Sequence, residues 1–274
     1  MSGMTTLGRR LIPMLCALTL CVLLMGGCTW LPTFRQLSAS ELTALKQDIQ
    51  SEFGIQVVDG PDGARWGSEL IAVQDALRKV GRDFLSRQPI RRLKRVREAA
   101  VKAPEFYDAS VQEIGLQDGA YMSGGTYNDE AIAMATLHAV ALAWVANPLD
   151  METFRQTVAA GTAGVSASAL MNRPGASRNL EKVGVFATLS EWKAMGTSGK
   201  APYGVNDAYD PPFDYRHERR DREDWREEFT HDRQKQDPRS DLAQAFACYH
   251  LHPETMRRDA PRKATFVEKA ILGQ

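Results

Sequence analysis

One imidazole, His138, sits near the middle of an otherwise apolar stretch, TYNDEAIAMATLHAVALAWVAN at 126–147. A catalytic zinc held on a helix needs two imidazoles at i and i+4, which one helical face presents together. A Glu at i+1 serves as base for the metal-bound water, and a third ligand comes from elsewhere in the chain. His138 stands where the first imidazole would, but the i+1 residue is Ala139 and the i+4 residue is Leu142. Neither side chain can bind a metal or accept a proton. A lone His on an apolar face is ordinarily a core histidine satisfied by one hydrogen bond. The other imidazoles offer less. His250 and His252 are two apart, so on a helix they point in different directions, and Pro253 adjoins them. His217 and His231 lie in a densely charged segment and are expected to be solvated. No G-x-S-x-G elbow, phosphate-binding glycine loop or credible Ser-His-Asp grouping is visible from spacing.

The elements that must position His138 can be read from pattern. Ala131, Met134, Ala135, His138, Ala141, Leu142 and Val145 recur at three- and four-residue steps and stack on one helical face. Asn128 or Asp129 can cap that helix, and Pro148 with Asp150 closes it. Upstream, Ser38 and Glu41 form a capping box that opens a helix carrying Leu42, Leu45, Ile49 and Phe53 inward. Gly54 stops it, residues 55–58 read as a strand, and 59–63 as a turn. Residues 67–86 read as one amphipathic helix with Leu70, Val73, Leu77, Val80 and Phe84 on one side. The basic run 90–97 reads as a strand or short helix with a solvated outer face, or else as a surface for phosphates. Residues 119–128 read as a strand and a glycine turn leading into the central helix. The stretch 151–179 is rich in small residues, with 159–164 expected to be a mobile loop. Residues 186–195 carry Trp192 as a packing anchor, and 196–214 read as an irregular loop. Segment 215–239 alternates eight basic with eight acidic residues, the pattern of a solvated helix or a disordered stretch. Residues 240–253 form a helix packed through Leu242, Phe246, Tyr249 and Leu251, and 264–272 a last short one.

Across its 274 residues the chain is 43% hydrophobic and 25% charged, the profile of a folded protein. Its 34 basic residues are matched by 34 acidic ones, so no global field favours nucleic acid. The first residues stand apart. Arg9 and Arg10 precede an apolar run at 11–25 that is short for a permanent bilayer span, and Gly26-Gly27-Cys28 ends it. This ending resembles a bacterial lipoprotein lipobox. The resemblance implies cleavage before Cys28, acylation of its sulfur and amino group, and stable membrane attachment through several acyl chains. Thr29 after the cysteine implies the outer membrane, facing the periplasm. Cys16 and Cys21 leave with the signal, which leaves Cys248 as the single remaining thiol and excludes an internal disulfide or a cysteine zinc site. The expected organisation is a signal peptide over 1–27, a lipidated tether over 28–39 and one domain over 40–274.

The domain as a whole resembles the zinc-peptidase domain of the anthrax lethal factor-like group of gluzincins. The matching residues are Gly119 and Tyr121, then Gly124-Gly125-Thr126-Tyr127, Thr136-Leu137-His138, and Ser240-Asp241-Leu242-Ala243-Gln244-Ala245-Phe246-Ala247 before Pro253. The similarity spans about 42–271. It implies an α+β, zincin-like fold, mostly helical, with a small sheet from 55–58, 90–97 and 119–128. By that resemblance the first zinc ligand falls on His138, the base on Ala139, the second ligand on Leu142, the third on Ser240, and the acid that orients a ligand on Gln244. Four of the five are lost, so neither catalytic residues nor zinc nor any other cofactor is expected. The reading that follows is an inactive, lipid-anchored pseudo-peptidase serving as a binding or scaffold module for an envelope or secreted protein, with 215–239 as a candidate contact. The alternative is an envelope hydrolase with a site rebuilt around His138.

Overall fold

Ser38 sets the start of the folded unit. In the computed structural model, which describes residues 36–97, 105–123, 126–161, 178–190, 192–194, 215–217 and 238–274, its hydroxyl accepts from the Glu41 amide at 3.3 Å. The Glu41 carboxylate in turn accepts from the Ser38 amide at 2.9 Å, completing the capping box. Helix α1, Ala39–Phe53, buries Ile49 and Phe53 and ends at Gly54 in the left-handed conformation, φ 74°. The compact unit runs over Leu37–Gln274. The signal, Cys28 and most of the tether lie outside the described residues.

Strand β1 is Gln56–Val58. The single helix expected over 67–86 is two: α2, Glu69–Val80, and α3, Arg82–Ser86. Gly81 separates them at φ 89°, a conformation that continues neither helix. Leu70, Val73, Leu77, Val80 and Phe84 are buried all the same.

The main sheet differs from the expected one. Strands β2, Arg92–Val96, β3, Glu105–Asp108, and β4, Glu113–Gln117, join β1 in the order β1-β2-β4-β3. Pairing is parallel except for β3, which runs antiparallel to β4 at one edge. The Phe106 ring covers Gly115 on β4 where any Cβ would collide with it. Residues 119–128 stay out of this sheet: a 3₁₀ turn, Asp118–Tyr121, leads to the hairpin β5, Met122–Ser123, and β6, Thr126–Tyr127. The basic run forms a strand, with Arg92 and Lys94 on its half-exposed face and Arg95 on its buried one. Arg95 is buried and paired with Glu69 and Asp118, while Arg92 and Lys94 meet Glu113 at 3.4 and 3.2 Å.

Helix α4, Asp129–Ala146, is the axis of the unit. Asn128 caps it, accepting from the Glu130 and Ala131 amides at 2.8 and 3.4 Å. Its apolar face was expected to be one-sided, but Ile132, Thr136, Ala139, Val140 and Ala143 are as buried as Ala135 and Leu142. Helix α2, strands β3 and β4, and α7 (Pro238–Leu251) surround it. By length and composition α4 could cross a bilayer, yet here it is a core helix enclosed by protein. At its C-terminal end the Lys182 ammonium donates to the carbonyls of Trp144 and Asn147 at 2.7 and 2.9 Å and lies 4.1 Å from the Trp144 ring centre. A cation there complements the helix dipole. Burial nevertheless pulls the Lys182 pKa down to about 8, with Asp150 opposing the change.

The loop expected at 159–164 is described only to Gly161, where a helix ends. Helix α5, Met151–Ala159, packs Met151, Phe154 and Val158 inward, whereas residues 162–177 lie outside the description. Helix α6, Arg178–Leu189, precedes the antiparallel pair β7, Trp192–Ala194, and β8, Tyr215–His217. The packing of Trp192, the loop 196–214 and nearly all of the charged segment are also outside the described residues. Pro253 both follows α7 and opens α8, Pro253–Asp259, where its missing N–H costs nothing. Helix α9, Pro261–Phe266, runs into a π-helical turn, Val267–Leu272. Edge-on aromatic contacts of Trp144 with Phe154, Phe154 with Phe266, and Phe186 with Phe266 at 5.3–6.2 Å join α4, α5, α6 and α9. The fold is therefore α+β and mostly helical, with a four-stranded mixed sheet.

Candidate functional site

His138 projects from α4 into the interior, 7% exposed, and its Nδ1 lies 3.2 Å from Oε1 of Glu105 on the edge strand β3. Glu105 is 2% exposed. A carboxylate so placed is costly unless a partner offsets it, and the imidazole lies within ion-pair distance, a pairing that carries charge only when the ring is protonated. Sequence reasoning missed Glu105. Its one signal is an acidic residue opening the alternating strand Glu105-Phe106-Tyr107-Asp108, and that pattern ordinarily places the charge outward.

The remaining positions that the resemblance singles out lie on α4 and α7, which run antiparallel. His252, just past α7, meets Glu130 at 2.7 Å, and Gln244, two turns earlier, reaches Met134 at 2.9 Å. The structure thus places Gln244 against Met134, one turn before His138, at the α4–α7 seam, and Ser240 in the first turn of α7. Ala139 is 0% exposed and Leu142 8%, both packed as core. Gln244 is wholly buried, its amide nitrogen directed at Met134 Sδ and, at 3.7 Å, at Cys248 Sγ. Beside Ser240, Asp241 forms a buried ion pair with Lys263 at 2.7 and 3.0 Å. That pair was also missed, because its members are far apart in sequence.

A zinc ion does not fit this donor set. Two of the four lost positions are apolar, Ser240 is a neutral hydroxyl and Gln244 an amide. No group of three or more His, Cys, Asp or Glu side chains within reach of one ion occurs among the described residues.

The weaker candidates resolve separately. His250 and His252 do diverge: His252 pairs with Glu130 at the surface, while His250 packs on Phe246 with ring centres 4.5 Å apart. Burial pushes the His250 pKa down to about 4, against the hydrogen bond it makes to the Lys79 backbone. A folded-state pKa below the unfolded one favours the neutral ring, so this contribution is intact above pH 6.5 and is lost as pH falls toward 4. The drop from 6.5 to about 4 corresponds to roughly 3 kcal/mol. Urea unfolding between pH 7 and 4 is expected to show a steeper loss for the native chain than for His250→Asn. Equal slopes would mean that His250 takes up its proton without hindrance. The side chain of His217 and all of His231 are outside the described residues.

Comparison with protein-family models, curated sequences and solved structures finds no match.

Proposed function

We propose that this chain is a lipid-anchored protein of the bacterial envelope whose zincin-like domain, a degenerate relative of the gluzincin peptidases, binds another protein instead of cutting one. The observation that carries the reading is the filled seam between α4 and α7. Ala139 and Leu142 are core side chains where a base and a second metal ligand would have to meet solvent and substrate, and Gln244 keeps the shape of a Glu without its charge. Removing carboxylates from a buried site that has no metal to offset them eliminates an electrostatic cost, which supports a domain kept for its shape. Lipidation at Cys28 supplies the location, at the outer membrane facing the periplasm. The partner is an envelope or secreted protein and not a nucleic acid.

The test is crosslinking in intact envelopes followed by affinity purification of the tagged full chain. A defined protein adduct that is lost when Cys28→Ser releases the chain from the membrane is the expected result. One adduct indicates a dedicated ligand; several indicate a scaffold within a larger assembly. Recovery of the chain in the cytosol, or zinc-dependent cleavage of envelope proteins by the purified chain, contradicts the reading.

One observation favours the alternative, a rebuilt hydrolase. Glu105 Oε1 lies 3.2 Å from His138 Nδ1, the pairing of carboxylate and imidazole from which a general base is built. Proteolysis that persists in chelator and disappears in His138→Ala would establish it. The burial of both side chains weighs against it, since a base must reach its substrate.

A further inference from the structure

The last turn of α7 carries an imidazole whose place suits only its neutral form. His250 is half-buried, with its ring centre 4.5 Å from that of Phe246 and 5.6 Å from that of Tyr249. One ring nitrogen donates to the backbone carbonyl of Lys79, among the last four of α2, which a helix leaves without partners of its own. The other, Nε2, is buried and has no hydrogen-bond partner among the described residues. Protonation would place a second N–H, and a full charge, where no acceptor stands. The surrounding charges do not relieve it. On α2 the Lys79 ammonium opposes a second cation. On α3, Arg87 lies over the Phe84 ring, which in turn meets Phe246 at 5.7 Å. On α8, Arg257 is taken up by Glu254 and Glu268, and the Glu130 carboxylate of α4 is taken up by His252. At the far end of α7, Asp241 is held by Lys263.

We propose that His250 is an acid-operated catch: its protonation releases the last turn of α7, with α8 behind it, from α2 and α3, and uncovers the Phe84–Phe246 contact. One edge of the half-buried ring faces water, so a proton can reach it and the charged ring has somewhere to turn. Helix ends open locally at less cost than the whole unit, and the start of α7 stays pinned by its buried ion pair. The Lys79 carbonyl favours the protonated ring, but burial outweighs it and holds the pKa at about 4. The catch is therefore closed above pH 6.5 and opens as pH falls toward 4. The inference depends on the α2–α7 junction alone, not on the lipid anchor or the peptidase resemblance.

The experiment is amide hydrogen exchange of the full chain, read by mass spectrometry at pH 7 and pH 4 and corrected for the intrinsic pH dependence of exchange. Protection over 246–259 is expected to fall on the order of 100-fold more than that of the four-stranded sheet, the factor by which a proton favours an open ring of ordinary pKa over the closed one. His250→Asn, whose amide can donate to the Lys79 carbonyl but takes up no proton, should keep its protection. Lys79→Gln leaves the backbone acceptor in place and removes the opposing charge, so it should open at a higher pH than the native chain. An equal fall in the native chain and His250→Asn overturns the proposal, as does a fall spread evenly over the sheet and all helices. Should His250→Asn fold poorly, Lys79→Gln still decides, since an unmoved midpoint also overturns it.

Discussion

Replacing Lys263 by Met is expected to lower the folding stability of the chain by about 3–5 kcal/mol, the usual cost of stranding one member of a buried ion pair. The ammonium of Lys263 donates to both carboxylate oxygens of Asp241, and the two side chains are 4% and 0% exposed. With Lys263 gone, Asp241 must either stay ionised inside the protein or take up a proton; both are costly near neutral pH. Domain stabilities of about 5–15 kcal/mol make this a large fraction of the total. The double variant Lys263→Met/Asp241→Leu is expected to recover most of the loss, because two apolar side chains can replace a buried pair with little net change. Urea midpoints of the single and double variants measure the coupling directly. A double variant no more stable than Lys263→Met would show that the position of Asp241, and not the pairing, is what the fold requires.

The same pair shows where the sequence stopped being legible. Helix α1 and its cap, Gly54, β1, the Asn128 cap and the span of α4 follow from local chemistry, since each needs only residues within about one turn. What escaped is long-range. Strands β3 and β4 are short, and β4 is nearly continuously buried, so it lacks the alternation that announces a half-exposed strand, while the alternation of β3 spans only Glu105–Asp108. Without them, Glu105 could not be placed behind His138, nor Arg95 between Glu69 and Asp118. Gly81 was read past because the hydrophobic spacing continues through it, and only its positive φ breaks the helix. The buried charges Glu105, Arg95, Asp241 and Lys263 carry no local mark of burial. A sequence shows a charge but not the partner that allows it inside.

The second large effect concerns the seam itself. If the α4–α7 geometry is that of an emptied zinc site, then Ala139→Glu, Leu142→His, Ser240→Glu and Gln244→Glu together are expected to restore zinc binding. Without metal the quadruple variant should be several kcal/mol less stable than the native chain, because it places carboxylates and an imidazole where Ala139, Leu142 and Gln244 are now 0–8% exposed. Zinc should then reverse the loss: at 1,000 times its dissociation constant a ligand specific for the folded state contributes about 4 kcal/mol. The melting temperature of the variant should therefore climb with zinc concentration, while that of the native chain stays level. Glu105 has a defined part in this outcome. Its Oε1 lies 3.2 Å from His138 Nδ1, near enough to orient the ring through that nitrogen if Nε2 met a metal. Adding Glu105→Gln to the quadruple variant is expected to weaken zinc binding about 10–100-fold. Leu142→His alone should gain nothing measurable, since two imidazoles without the third ligand do not complete the site. A quadruple variant that folds, as circular dichroism would report, yet melts at the same temperature with and without zinc would separate this seam from the zinc-peptidase arrangement. The filled core at Ala139 and Leu142 would then be an ordinary helix contact.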